Sequence, residues 1–188
     1  MVTAHNNLET EIKLSVANPA AARRLLRGKG FRVVKPRVFE ANEVFDTHDL
    51  RLRKEQSLLR IRTVKRDVLL TYKAPPQSGK HKSREELEVH AGDARMLAAI
   101  FERLGFQCVF RYEKYRTEFR RGKTGIVTLD ETPIGCYLEL EGPPDWIDRT
   151  ARLLGFTEND YITLSYGKLY LDRSAAAGST PGDMVFPS

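Results

Sequence analysis

Three Glu-x-Glu pairs punctuate this sequence: Glu9 with Glu11, Glu86 with Glu88, and Glu139 with Glu141. On a strand, such residues share one face and stand roughly 7 Å apart, since each residue rises ~3.3 Å. That spacing suits a shared divalent cation, because Mg²⁺ and Mn²⁺ take oxygen ligands and bridge to phosphate. Cations recur with the same period of two. Lys13 shares a face with Glu9 and Glu11, while Leu8, Ile12 and Leu14 take the other. Arg60 and Arg62 alternate with Leu59 and Ile61, and Lys73 follows Tyr72. Arg84 precedes Glu86, Glu88 and His90 on a face opposite Leu87 and Val89. Lys114, Arg116, Glu118 and Arg120 oppose Tyr115 and Phe119, and Asp130 opposes Leu129. Arginine and lysine bind phosphate oxygens, arginine often through two parallel hydrogen bonds. Such a face could clamp a chain of phosphates while a metal polarises one of them.

The plain alternative is a solvated sheet face, which half-exposed antiparallel strands normally show. Two features weigh against it. The polar positions are almost purely Arg, Lys, Glu and Asp, with few of the Thr, Ser and Gln residues that wet faces tolerate. Amphipathic helices are also present, and they would cover the apolar face. If the sheet closes, the charged face becomes a lumen.

The elements that would carry these residues can be read in order. One helix starts at Asn18-Pro19, a cap followed by a first-turn proline, and stops at Gly28 and Gly30. A second runs from Asp93 to Leu104, and a third runs from Pro143-Pro144 to Gly155. A Glu-x-Glu strand precedes each helix and a Gly-Phe pair follows it, so the chain reads as one unit used three times. A fourth helix is expected over Tyr161 to Leu171. Strands are expected over 37–47, 57–65, 67–74, 112–121 and 125–132, several of them as hairpins. Residues 75–83 form a polar loop. The pattern is α+β with a largely antiparallel sheet or barrel. A single domain over 1–173 is expected, with a flexible or loosely docked tail over 174–188.

Composition bounds the possibilities. Over 188 residues, 41% are hydrophobic, enough for a core, and the net charge of +6 favours anionic partners. Cys108 and Cys136 lack metal-ligand spacing and read as buried thiols. His5, His48, His81 and His90 show no paired spacing, so none is taken as a ligand. Glu43, Asp46, Glu55 and Glu102 read as surface charges, and Tyr166 as a core aromatic. The basic runs at 23–29 and 120–123 read as solvated charge, so nucleic acid is not expected as a partner. No basic leader with an apolar run opens the chain, and no stretch approaches the ~20 apolar residues of a membrane helix. A cytoplasmic protein, monomer or homodimer, is expected.

The segments ETEIK (9–13), RIR (60–62), TYK (71–73), REELE (84–88), KYR (114–116), LDETPIGCYLELEG (129–142) and SYGKL (165–169) together resemble the CYTH superfamily. These are the triphosphate tunnel metalloenzymes, which include class IV adenylate cyclases, thiamine triphosphatases and inorganic triphosphatases. The resemblance implies a closed eight-stranded antiparallel β-barrel with helices packed outside. It implies metal ligation by Glu9, Glu11 and Glu141, with Glu139 and Asp130 beside them, for Mg²⁺ or Mn²⁺. It implies triphosphate binding by Lys13, Arg60, Arg62, Lys73, Arg84 and Arg116, with Lys114 and a capping Lys168. Catalysis would rest on Glu9, Glu11, Lys13, Arg60, Arg62 and Lys73. Glu86 and Glu88 would support them. The substrate would be inorganic triphosphate, ATP or thiamine triphosphate. Hydrolysis is the leading expectation, cyclisation of ATP the alternative, and a non-catalytic polyphosphate or nucleotide module the third.

Overall fold

A computed structural model describes residues 8–187; His5 lies outside that range. Eight strands close into an antiparallel barrel in the order β1-β5-β4-β3-β2-β6-β7-β8. They are β1 (Leu8–Val16), β2 (Arg32–Thr47), β3 (Leu58–Val64), β4 (Asp67–Lys73), β5 (Lys82–Ala91), β6 (Phe106–Arg120), β7 (Ile126–Thr132) and β8 (Gly135–Glu141). The helices are α1 (Pro19–Gly28), α2 (Arg51–Lys54), α3 (Ala94–Arg103), α4 (Pro144–Leu153) and α5 (Tyr166–Ala176). Among the described residues no helix is long and apolar enough to cross a membrane.

The local signals act as expected at the helix ends. The Asn18 side chain accepts a hydrogen bond from the Ala21 N–H, and Asp93 caps α3 through the Arg95 and Met96 N–H groups. Gly30 and Gly155 turn the chain at φ +83° and +90°, a region open to glycine at no steric cost. Each lets the following phenylalanine N–H reach back into its helix, Phe31 to Leu26 and Phe156 to Ala151.

These turns fold the helices onto the barrel's outer wall. Ile12, Leu14, Phe119, Val127, Leu129, Leu138 and Leu140 point outward from β1, β6, β7 and β8. They meet Ala22 and Leu26 of α1, Ile147 and Ala151 of α4, and Leu154 just after it, all at most 4% exposed. Full burial of each large side chain contributes about 1.5–3 kcal/mol. A second apolar layer joins Phe45, Ile61 and Val68 to α3. Because the outer face is apolar, alternation forces the charged residues inward.

Some sequence expectations need correction. The last helix starts at Tyr166, not Tyr161, because Ser165 caps it through the Lys168 N–H and Ile162 bridges to Lys13 of β1. It also runs on to Ala176. Strands β2 and β6 start earlier than expected, because they pair with each other over almost their whole length. Lys82, placed in the polar loop, begins β5. Asp46 is no surface charge: it is 2% exposed, and its oxygens accept from the N–H groups of Thr47, Leu52 and Arg53. It thereby nucleates α2, which the sequence reading did not foresee. Cys108 and Cys136 are free and half-buried. In the tail, Met184 is 1% exposed and bridges to Tyr112 of β6.

Candidate functional site

The barrel encloses a cavity of about 1090 Å³. Register decides which side chains meet there. Glu11 of β1 lies opposite Lys82 of β5 on one side and Glu141 of β8 on the other. Lys13 lies opposite Glu139, Lys73 opposite Glu86, and Arg116 opposite Asp130. Each expected site residue except the fully buried Asp130 lines this cavity, Lys168 among them.

Inside, the charges form a chain of ion pairs. Lys73 Nζ lies 2.5 Å from Glu9 and 3.0 Å from Glu86. Glu11 is shared by Lys13 and Lys82, each at 3.2 Å, and Lys13 also reaches Glu139 at 3.3 Å. Arg116 grips both oxygens of Asp130 at 2.7 and 2.6 Å and also donates to Glu139. Lys114 adds a bond to Asp130 at 2.8 Å. Arg60 lies 3.9 Å from Glu86 and 3.8 Å from Glu88, and donates to Tyr112 and Thr71 at 3.1 Å each.

Burial makes these pairs strong and sets the titration of their members. Burial pushes the Glu11 carboxyl up, but Lys13, Lys82 and Lys73 together outweigh it and hold it below the ordinary range. Burial likewise opposes the Glu139 carboxylate, yet Arg116, Lys13 and Lys114 keep it well below that range. Lys82 moves the other way: burial lowers it to about 8, with Glu11 resisting and Lys13 and Arg84 assisting. Glu141 keeps contact with solvent at the rim, but the surrounding wall and then the carboxylates of Glu9 and Glu139 raise it to about 7.

Not every donor in the lumen is used. The Nε atoms of Arg60, Arg62 and Arg84 are buried and have no hydrogen-bond acceptor among the described residues. Arg62 Nε stands 3.8 Å from Glu40, and Arg84 Nε 4.0 Å from Glu9, beyond hydrogen-bond reach. A buried donor without an acceptor costs about 1–3 kcal/mol. Three such donors share one lumen, with the Glu40 Oε2 and Asn42 Oδ1 acceptors also unpartnered there among the described residues.

Several residues add to the expected set. Lys82 extends the alternation of Arg84, Glu86 and Glu88 by one step, and that period could have revealed it. Glu40 is 4% exposed and lies 3.6 Å from Lys114. Burial opposes its charge, but Lys114, Arg116 and Arg62 bring its carboxyl to about 2. Its strand, VFEANEVF, carries no charge alternation that would mark it. Tyr166 is both core and lumen: its hydroxyl donates to Asp130 at 2.9 Å, and Lys13 and Lys114 lie 5.2 and 5.3 Å from its ring.

The remaining placements differ in kind. Asp130 is 0% exposed and already holds Lys114, Arg116 and Tyr166, so it anchors cations. Lys168 is exposed and pairs with Asp172 beside one opening of the cavity. Glu9, Glu11 and Glu141 offer the hard oxygen donors that Mg²⁺ or Mn²⁺ prefers, on adjacent strands. Among the described residues, no three such groups already stand at coordinating distance of one point.

Comparison with known proteins fits this geometry. The model of the CYTH domain matches residues 7–154. A Methanocaldococcus jannaschii protein, named as a candidate adenylate cyclase, is 31% identical over 134 residues, covering 71% of this chain and 76% of that one. A Pyrococcus horikoshii protein of solved structure superposes with a TM-score of 0.75 at 26% identity, covering 88% of this chain and 99% of that one. A candidate adenylyl cyclase from Hippeastrum, described with a dominant triphosphatase activity, superposes at 0.64 with 21% identity, covering 92% and 97%. The last shares the fold.

Proposed function

The chain belongs to the CYTH domain family, and on that premise we propose that it binds a triphosphate in the barrel and cleaves a phosphoanhydride bond, chiefly by hydrolysis. The observation that carries this reading is the set of buried guanidinium donors without acceptors at Arg60, Arg62 and Arg84. Phosphate oxygens supply what those donors lack, in the planar geometry a guanidinium fits.

The residues divide the work by position. Arg60, Arg62 and Arg84 orient the phosphate chain from β3 and β5. Lys13, Lys73, Lys114 and Arg116 hold positive charge around it, each fixed by a carboxylate partner. As the terminal P–O bond breaks, the departing diphosphate gains charge, and these fixed cations stabilise it without having to reorganise. Glu9, Glu11 and Glu141 would hold Mg²⁺ or Mn²⁺, which when bound polarises the phosphoryl group under attack. Lys82 and Lys73 pair with Glu11 and Glu9 of that set.

A second reading is cyclisation of ATP, with the ribose 3′-hydroxyl attacking the α-phosphorus and diphosphate leaving. Two observations favour it. The M. jannaschii relative carries a cyclase name. One end of the cavity is lined by Leu52, Leu58, Phe110, Leu164 and Leu171, an apolar setting for an organic group.

Product analysis separates the readings. The protein is incubated with inorganic triphosphate, ATP or thiamine triphosphate, with Mg²⁺ or Mn²⁺. Phosphate release without cyclic AMP is expected. Cyclic AMP with stoichiometric diphosphate would establish the cyclase instead. Tight binding without any product would leave a non-catalytic module.

A further inference from the structure

The lumen is close to electrical balance: its lining carries twelve Lys and Arg residues and ten Glu and Asp residues. Most of the net charge of +6 therefore resides outside it. The outer charge is not evenly spread. The basic runs at 23–29 and 120–123 are far apart in sequence, yet the fold joins them at one end of the barrel. Arg32 lies opposite Arg120 in the β2–β6 register. The Arg121 side chain packs beside Gly30 at the end of α1, and lines a cleft with Arg149 and Trp146 of α4. Arg27 and Lys29 end α1, and Lys123 sits in the β6–β7 turn.

These seven cations are all exposed, and none is in an ion pair among the described residues. Asp145 of α4 and Glu141 at the rim are exposed carboxylates beside it. Like charges placed opposite each other across two strands, as at Arg32 and Arg120, are destabilising.

The face borders an opening of the lumen. Lys35 and Glu118 line the cavity opposite each other, and Phe119 then turns outward into the core at 0% exposure. Alternation returns Arg120 to the luminal side at the rim. The same turn leads into Ile126, opposite the rim residue Glu141. The opposite end of the cavity has the apolar lining and is crossed by α5.

We propose that this basic face collects the anionic substrate and makes the adjoining opening its entrance. The inference rests on the triphosphate reading of the lumen. A triphosphate is a compact polyanion, and a one-signed field beside an opening raises its encounter rate, most at low ionic strength. Screening shortens that reach to ~8 Å at physiological salt.

The test measures the association rate constant of inorganic triphosphate by stopped flow, across ionic strengths, on the full chain. In R32E/R120E/K123E, at the rim and outside the cavity lining, the rate at low salt is expected to fall about tenfold or more and its salt dependence to flatten. Turnover at saturation is expected to stay unchanged. The control R51E/R53E/K54E reverses charge on α2, beside the other end, and is expected to change association less than twofold. Equal effects at both ends, or an unchanged rate in the first variant, would overturn the inference while leaving the triphosphate site intact. No binding by the wild-type chain would remove the proposed function and this inference with it.

Discussion

Two ion-pair clusters in this molecule look alike at first and differ in one respect. In the lumen, carboxylates and cations alternate around a cavity and leave the Nε atoms of Arg60, Arg62 and Arg84 without acceptors. On the outside, Asp148 of α4 gathers His81 at 2.7 Å, Lys80 at 2.8 Å and Tyr161 at 3.1 Å, and Lys80 also reaches Glu158 at 2.8 Å. That outer cluster clasps the loop before β5 to α4 and to the segment before α5, and among the described residues none of its polar atoms is buried without a partner. Charge density alone thus does not mark a site; unspent hydrogen-bonding capacity does.

The contrast can be broken most sharply in the lumen. Arg62→Ala should lower turnover by about 10³-fold or more with the circular dichroism spectrum and melting behaviour near wild type, and Glu11→Ala should lower it as far while also losing stability, because Lys13 and Lys82 lose a buried partner. Near-normal activity in either variant would sink the lumen assignment. A smaller effect separates anchoring from ligand binding. Asp130→Ala leaves Lys114 and Arg116 without their main buried partner, so chemical denaturation should show about 3–5 kcal/mol less stability. A change below 1 kcal/mol would mean that those cations find other partners.

The clasp should behave in the opposite way. Asp148→Asn should cost about 1 kcal/mol and leave turnover within twofold of wild type. A large loss of activity at intact stability would give the clasp a chemical role. The smallest effect is in pH. Burial raises the Asp148 carboxyl, but Lys80, His81 and Tyr161 bring it to about 2, below its ordinary 3.8. A depressed carboxyl contributes stability above its unfolded value and loses it as pH falls through the folded one. The wild type should therefore lose stability between about pH 4 and 2 relative to Asp148→Asn. Parallel stability curves for the two proteins would contradict this.

The same contrast explains what could be read from sequence. Strict alternation of Glu9-x-Glu11-x-Lys13 against Leu8, Ile12 and Leu14 shows both faces of β1 at once. The helix caps and Gly-Phe stops are equally local, so α1, α3 and α4 were legible. Glu40 was not, because its inward neighbours Val38 and Asn42 are uncharged and the next acid, Glu43, faces outward to Arg111. The clasp was hidden because His81 and Asp148 lie 67 residues apart and meet only after the barrel closes. Asp46 looked like surface charge because its acceptors' partners, the N–H groups of Leu52 and Arg53, carry no side-chain signature. The early start expected for α5 failed because Ile162 had a β-bridge to make with Lys13, a contact set by tertiary structure.

Calorimetric titration of inorganic triphosphate into the wild type, Arg62→Ala and Asp148→Asn tests the central claim most directly. One triphosphate should bind per chain, with affinity at least tenfold weaker in Arg62→Ala and unchanged in Asp148→Asn. Equal binding by the wild type and Arg62→Ala would contradict the account and place the anion outside the lumen.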